Sequence, residues 1–298
     1  MAAWGYNDFG QTAVPAPPAG QTYTAVAAGG NHSLALTSAG QVIAWGSYNG
    51  QTAVPAPPAP SAGQTYTAVA AGDEHSLALT SAGQVISWGR YNDQTDVPAP
   101  PAGQTYTAIA AGSAHSLALT SAGQVISWGS YPGQAAVPAP PAGDTYTAIA
   151  AGRSHSLALT SAGQVISWGY INYGPIAAPW LPAGQTYTAI AAGRSHSVAL
   201  TSAGEVIAWG SNEFRQLDVP FLPFGQTYTA IAAGSVHSLA LTSAGKVISW
   251  GNHADDVPAP PIGKAYTAVA GGGFHSLALA SGTSESSPTG SLGSIFGS

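Results

Sequence analysis

Cysteine is absent from the 298-residue chain. That excludes a disulfide framework, thiolate catalysis and Cys-ligated zinc or iron–sulfur sites. It leaves the compartment open, since many secreted proteins lack disulfides too. Charge is also scarce: Asp, Glu, Lys and Arg make up 6% of the residues, where roughly 25% is usual. Six basic against twelve acidic residues give a net charge of −6. No basic stripe is available to neutralise phosphates, so a nucleic-acid partner is not expected. A polybasic membrane-surface role fails on the same count, and no apolar run of about 18 residues offers a membrane span. Met1-Ala2-Ala3-Trp4-Gly5 shows neither a basic n-region nor an apolar h-region, so no signal peptide is expected. Helical periodicity is missing throughout.

What is present is a repeat, and the repeat settles the architecture. His-Ser recurs at His32, His75, His115, His155, His196, His237 and His275. Trp-Gly recurs at Trp4, Trp45, Trp88, Trp128, Trp168, Trp209 and Trp250. Tyr-Thr-Ala begins at Tyr23, Tyr66, Tyr106, Tyr146, Tyr187 and Tyr228, and again at Tyr266. The spacings run from 38 to 43 residues. Within a unit the period is two. Tyr106–Ala110, His115–Thr120 and Gln124–Trp128 read as three short strands. Gly123 supplies positive φ to the hairpin between the second and third. A fourth, short edge strand is expected through Gln134–Val137, before Pro138, Pro140 and Pro141 end any pairing.

A sheet of this size cannot bury both faces alone, so neighbours must stack, large residues against Ala and Gly. Closing seven sheets into a ring leaves none exposed. The last unit stops at His275–Ala280 without reaching its Trp-Gly, and Ala2-Ala3-Trp4-Gly5 is the missing strand. The expectation is an all-β, seven-bladed β-propeller of about 40-residue repeats over residues 1–280, its last blade closed by the N-terminal strand. Residues 281–298 form a Ser/Gly-rich tail with a short apolar end.

The recurring Gly-x-x-His-Ser-Leu-Ala-Leu-Thr-x-x-Gly-x-Val-x-x-Trp-Gly resembles the regulator of chromosome condensation repeat family. Trp4-Gly5-Tyr6-Asn7-Asp8-Phe9-Gly10-Gln11-Thr12-Ala13-Val14-Pro15 is similar to its bacterial branch, to which a secreted β-lactamase inhibitor belongs. The resemblance implies the propeller fold. It offers two family roles, nucleotide exchange and protein inhibition. The inhibitor presents aromatic and acidic side chains from one rim, including just before the repeat histidine. Here those positions are Asn31, Glu74, Ala114, Ser154, Ser195, Val236 and Phe274, of which only Phe274 is aromatic.

The seven histidines stand one per unit with no second ligand at chelating spacing, so they read as framework, bonded to backbone and pinning each blade. The seven Trp-Gly tryptophans are framework as well. No metal and no cofactor are expected. His253 reads as a solvated loop residue. Asp255-Asp256, Asp73-Glu74 and the isolated Asp8, Asp93, Asp96 and Asp218 fall in loops. They keep a weakly charged surface soluble, although carboxylates from different blades can converge in a hydrolase or lyase. Asp255 and Asp256 are the first residues to test for such a site.

Two short windows vary between otherwise near-identical units. One is the pair before each histidine. The other follows each Trp-Gly and is rich in aromatics: Tyr6, Phe9, Tyr48, Tyr91, Tyr131, Tyr170, Tyr173 and Phe214. With Phe274 they make a candidate binding rim, since tyrosine offers large amphipathic contact area at little rotamer cost. Further apolar bulk appears at Trp180, Phe221 and Phe224. In the tail, Leu292, Ile295 and Phe296 read as a docking motif on a flexible tether. The expected function is a non-enzymatic scaffold presenting its rim to a protein or a surface polysaccharide. Its expected setting is extracellular or on a virus particle, coupled to a larger assembly through the tail.

Overall fold

The computed structural model describes residues 1–48, 52–53, 57–90, 96–129, 136–170, 176–252 and 257–282. They form seven antiparallel sheets in chain order. Each blade opens with a strand starting at or just before the repeat tyrosine: Tyr23–Ala28, Tyr66–Ala71, Tyr106–Ala111, Tyr146–Ala151, Tyr187–Ala192, Tyr228–Ala233 and Lys264–Gly271. These strands touch one another in a closed ring, the first against the seventh, and so line the central channel. The middle strands start at the repeat histidines and, in the first six blades, are buried along their whole length. The outer strands carry Trp-Gly.

Register is uniform. His32 pairs with Gly46, Ser33 with Trp45 and Leu36 with Val42, and the same offsets recur through the sixth blade. In the seventh, Gly5 pairs with His275, Trp4 with Ser276 and Ala2 with Ala278. The N-terminal strand Ala2–Gly5 is therefore the outer strand of the last blade, as its sequence implies. The middle strand of that blade runs to Gly282, paired with Lys264, rather than stopping at Ala280.

Local chemistry explains the turns. Gly123 adopts φ 73° in its hairpin, which a side chain would resist. Each repeat tyrosine donates its hydroxyl to a proline carbonyl eight residues upstream, for example Tyr146 to Pro138 at 2.8 Å and Tyr228 to Pro220 at 2.7 Å. These bonds fasten every proline-rich connector to the blade it enters. Of the fourth strand expected through Gln134–Val137, residues 134 and 135 lie outside the described residues, and Ala136–Val137 are not paired. Among the described residues only the first blade has a fourth strand, Thr52–Ala53 against Ser47–Tyr48.

Between blades the packing is large against small. Leu77 and Leu79 of the second blade meet Ile109, Ala111, Ala118 and Trp128 of the third. Each fully buried leucine contributes roughly 1.5–3 kcal/mol, and equivalent clusters recur around the ring.

The segment after Trp4-Gly5 folds into a closed loop. Asn7 Oδ1 accepts from Thr12 N at 2.8 Å, and Gln11 Oε1 accepts from Phe9 N at 3.1 Å. The buried Gln11 carbonyl then accepts from Trp45 Nε1 (2.8 Å) and Ser33 Oγ (2.9 Å) of the next blade. Asn212–Gln216 repeats this loop before the sixth blade. There Arg215, at φ 60°, stands where the first loop has Gly10 at φ 76°. A left-handed arginine is strained, so Arg215→Gly is expected to raise stability by up to about 1 kcal/mol. Chemical denaturation would show this; an equal or lower midpoint would contradict it.

Candidate functional site: the channel mouth

Because the strands are antiparallel, the turn before each histidine and the segment after each Trp-Gly emerge on the same face. The backbone joins them. Tyr6 N donates to Phe274 O (2.9 Å), Ser47 to Asn31 (2.9 Å), Arg90 to Glu74 (3.0 Å), Tyr170 to Ser154 (2.7 Å), Ser211 to Ser195 (2.8 Å) and Asn252 to Val236 (2.9 Å). In the six blades where both are described, the two variable windows are thus joined on one face, around one end of the channel. The proline connectors and the β-hairpins occupy the opposite face.

Inside the rim lies a cavity of about 270 Å³, walled by the glycine-rich turns together with Asn31, Asp73, Glu74, Arg153, Arg194 and Phe274. Its charge is divided. On the second blade Glu74 pairs with Arg90 at 3.2 Å, an exposed contact worth about 0–1 kcal/mol. Asp73 accepts from the Ser113 hydroxyl of the third blade. Across the cavity Arg153 and Arg194 occupy equivalent positions on the fourth and fifth blades, and among the described residues neither has an ion-pair partner. On the seventh blade, with the first blade between it and the acidic sector, the rings of Phe9 and Phe274 both meet Tyr6 edge-on, at 5.8 and 6.4 Å between centroids. The Tyr6 phenol is held above its ordinary pKa, first by its hydrogen bond to Asp8, then by burial and the Asp8 charge.

Of the residues expected on the rim, Tyr6, Phe9 and Phe274 gather in that cluster, and Tyr170 and Phe214 are exposed on the same face. Tyr48 is not on the rim: it is only 4% exposed. Its ring packs edge-on against His32 at 4.9 Å, and its hydroxyl lies 3.0 Å from Ser76 Oγ. Burial pushes its pKa up to about 12. Tyr91, Tyr131 and Tyr173 lie outside the described residues, as do His253, Asp93, Asp255 and Asp256 and the tail residues Leu292, Ile295 and Phe296. Val236, in the pre-histidine window, is buried. The sequence marks Asp73, Glu74, Arg153 and Arg194 as members of the variable pre-histidine window without setting them on the binding rim; the structure sets them around one cavity. Asp73, Arg153 and Arg194 share one repeat column, two residues before the histidine, with Glu74 in the next, and that was the available signal.

Beneath the cavity the histidines form a second ring. Each Nε2 meets the serine hydroxyl of the following blade: His32–Ser76, His75–Ser116, His115–Ser156, His196–Ser238 and His237–Ser276 at 2.9 Å, His155–Ser197 at 3.0 Å. His275–Ser33, at 2.9 Å, closes the circle between the last and first blades. The bond runs between side chains of neighbouring blades, where backbone partners were expected. Ser33 and Ser238 donate their single protons to Gln11 O and Gln216 O, so His275 and His196 must donate through Nε2–H. Burial, reinforced in most of them by neighbouring histidines, lowers the pKa of His32, His115, His196 and His275 to about 3 and of His155 to about 4. These rings are neutral braces. Among the described residues no group of three or more His, Asp or Glu side chains is placed to hold a metal ion.

A closed ring of seven such blades, braced across every joint, defines the chain as a repeat propeller. It belongs to the Regulator of chromosome condensation (RCC1) repeat family, whose model matches residues 23–51, 66–94, 106–130, 146–174, 187–216 and 228–255. No curated protein matches the chain in sequence. Among solved structures it is similar to Prp20p of Saccharomyces cerevisiae, with a TM-score of 0.77 and 21% identity over 95% of this chain and 91% of that one. Human WBSCR16 gives 0.74 and 18%, over 94% and 98%. The CRINKLY ectodomain of the Arabidopsis thaliana receptor kinase ACR4 gives 0.66 and 21%, over 88% and 93%. At these identities the likeness is one of fold.

Proposed function

We propose that the protein is a non-enzymatic binding scaffold that holds a protein or glycan partner on the channel-mouth face. One observation carries this reading. In six of the seven blades the two sequence windows that vary between near-identical units are joined by a hydrogen bond on one face, and the charges around the cavity and the Tyr6–Phe9–Phe274 cluster stand on that face. Tyrosine and arginine are among the residue types in which hot spots are enriched. The same fold serves binding in Prp20p, characterised for binding Gsp1p and histones. Residues 283–298, with Leu292, Ile295 and Phe296, would couple the propeller to a larger assembly. An accessory or adhesin protein of a virus particle or cell surface fits that arrangement and the low charge.

The test is retention of the partner from source extract by Tyr6→Ala/Phe274→Ala. Loss of two hot-spot aromatics is expected to weaken binding by about 2–4 kcal/mol while the fold stays intact. Undiminished retention would remove the aromatic cluster from the interface.

A further inference from the structure

The face opposite the mouth carries large apolar side chains in full solvent: Trp180 is 98% exposed, Phe221 102%, Phe224 108% and Ile262 104%. Seven of the eight tryptophans are buried framework; Trp180 is the exception. At the equivalent connector positions the blades that follow Pro15, Pro98 and Pro138 have alanine, for example Ala16 and Ala19. The departure falls on three consecutive blades, the fifth to the seventh.

These side chains are displayed, not frayed. Tyr187 fixes the Pro179 carbonyl at 2.8 Å, and Gln185 N returns to Pro182 O at 3.1 Å. Leu181 packs inward against the core. Trp180, between these anchors, has only the outward direction. In the next connector Tyr228 holds Pro220 O, Leu222 packs inward, and Gln226 N bonds Pro223 O at 3.1 Å, leaving Phe221 and Phe224 outside. Lys264 N bonds Pro261 O at 2.9 Å across the turn that carries Ile262.

Charge on this arc is just as selective. The last hairpin residue is glutamine in the first four blades (Gln41, Gln84, Gln124, Gln164), Glu205 in the fifth and Lys246 in the sixth. Both are exposed and without an ion pair among the described residues. The Glu205 hairpin abuts the start of the sixth blade through Tyr228 N to Gly204 O (2.9 Å). The Lys246 hairpin abuts the seventh through Tyr266 N to Gly245 O (3.0 Å). Around the ring the order is therefore Trp180, Glu205, Phe221 and Phe224, Lys246, Ile262.

We propose that this arc is the interface of a two-fold homodimer. A two-fold axis through the sixth-blade connector sets Phe221 and Phe224 against their own copies. It sets Trp180 against Ile262 of the partner subunit and Glu205 against Lys246 of the partner subunit. The arc is apolar on both sides of that axis and sets Glu205 and Lys246 as an opposite-charged pair across it, with the exposed Lys264 beside Ile262 facing the uncharged side around Trp180 of the partner subunit. Like meeting like in apolarity and opposite meeting opposite in that pair is what a self-complementary contact needs. Three aromatics and an isoleucine offer on the order of 600 Å² per subunit, against about 800 Å² in a stable interface. Flanking prolines and the two hairpins supply the remainder. Both channel mouths stay free, so the dimer would present two rims facing away from each other.

Sedimentation velocity on the full chain from about 1 to 100 µM tests this. A dimer is expected, with Phe221→Ser/Phe224→Ser monomeric at an unchanged circular dichroism spectrum. Glu205→Lys and Lys246→Glu should each weaken association about tenfold, and the double exchange should restore it. A chain ending at Gly282 should dimerise as the full chain does. A monomer at every concentration, a dimer indifferent to the phenylalanine changes, a double exchange that fails to rescue, or a truncated chain that dissociates would each overturn the proposal.

Discussion

Acidification from about pH 7 to pH 5 is expected to unfold the protein cooperatively, well before its carboxylates protonate in the ordinary range. The histidine ring is the cause. His32, His115, His196 and His275 have folded-state pKa values of about 3 and His155 of about 4, against about 6.5 in an unfolded chain. A depressed pKa means the unfolded state binds the proton first. The stability contributed by each neutral, buried ring is complete above pH 6.5 and is lost progressively as pH falls towards 3. At pH 5 each ring forgoes about 2 kcal/mol, so the five together forgo on the order of 10 kcal/mol. A whole domain is stable by only about 5–15 kcal/mol. Tryptophan fluorescence and circular dichroism against pH should show one transition near pH 5. Native spectra retained down to about pH 3.5 would show that the ring does not carry this load.

Removal of residues 1–5 is expected to cost more than any other terminal truncation of similar length. Trp4 is buried among Leu239, Leu241, Tyr266 and Val269, and its strand is the outer strand of the seventh blade. Trp4→Ala alone should cost about 3–5 kcal/mol. Deleting the strand also bares the edge of the middle strand, whose unpaired amides and carbonyls invite aggregation. The melting temperature should fall on the order of 10 °C for Trp4→Ala and further for the deletion. A deletion that melts within a few degrees of the intact chain would mean that the ring does not depend on its latch.

Much of this architecture was legible because the repeat is so regular. Histidine, Trp-Gly and hairpin glycine fall in fixed columns, and the missing Trp-Gly of the last unit points directly to Trp4. The partners of those residues were not legible. Nothing in a single unit shows that a histidine bonds the next unit's serine, since the contact exists only once the ring is closed. The tyrosine of Tyr-Thr-Ala served as a marker, and its bond to a proline carbonyl emerged only from the fold.

Tyr48 shows what counting register would have added. Tyr6 and Tyr170 stand two residues after their tryptophans and are exposed; Tyr48 stands three after Trp45 and is buried. In a strand of period two, one residue of offset sends the side chain to the other face. Tyr91 and Tyr131 share the offset of Tyr48 and lie outside the described residues. The charged halves of the cavity were hidden differently. Arg153 and Arg194 are about forty residues apart in the chain, and only the ring sets them side by side opposite Asp73 and Glu74.

Amide hydrogen exchange, with and without the partner captured from source extract, reads which face binds. Binding at the mouth predicts protection confined to the turns at residues 29–31, 72–74, 152–154, 193–195 and 272–274 and to Tyr6–Phe9. The hairpins at 38–41, 81–84 and 121–124 should be unchanged. Protection on those hairpins with the mouth turns unaffected would contradict the account and move the binding surface elsewhere.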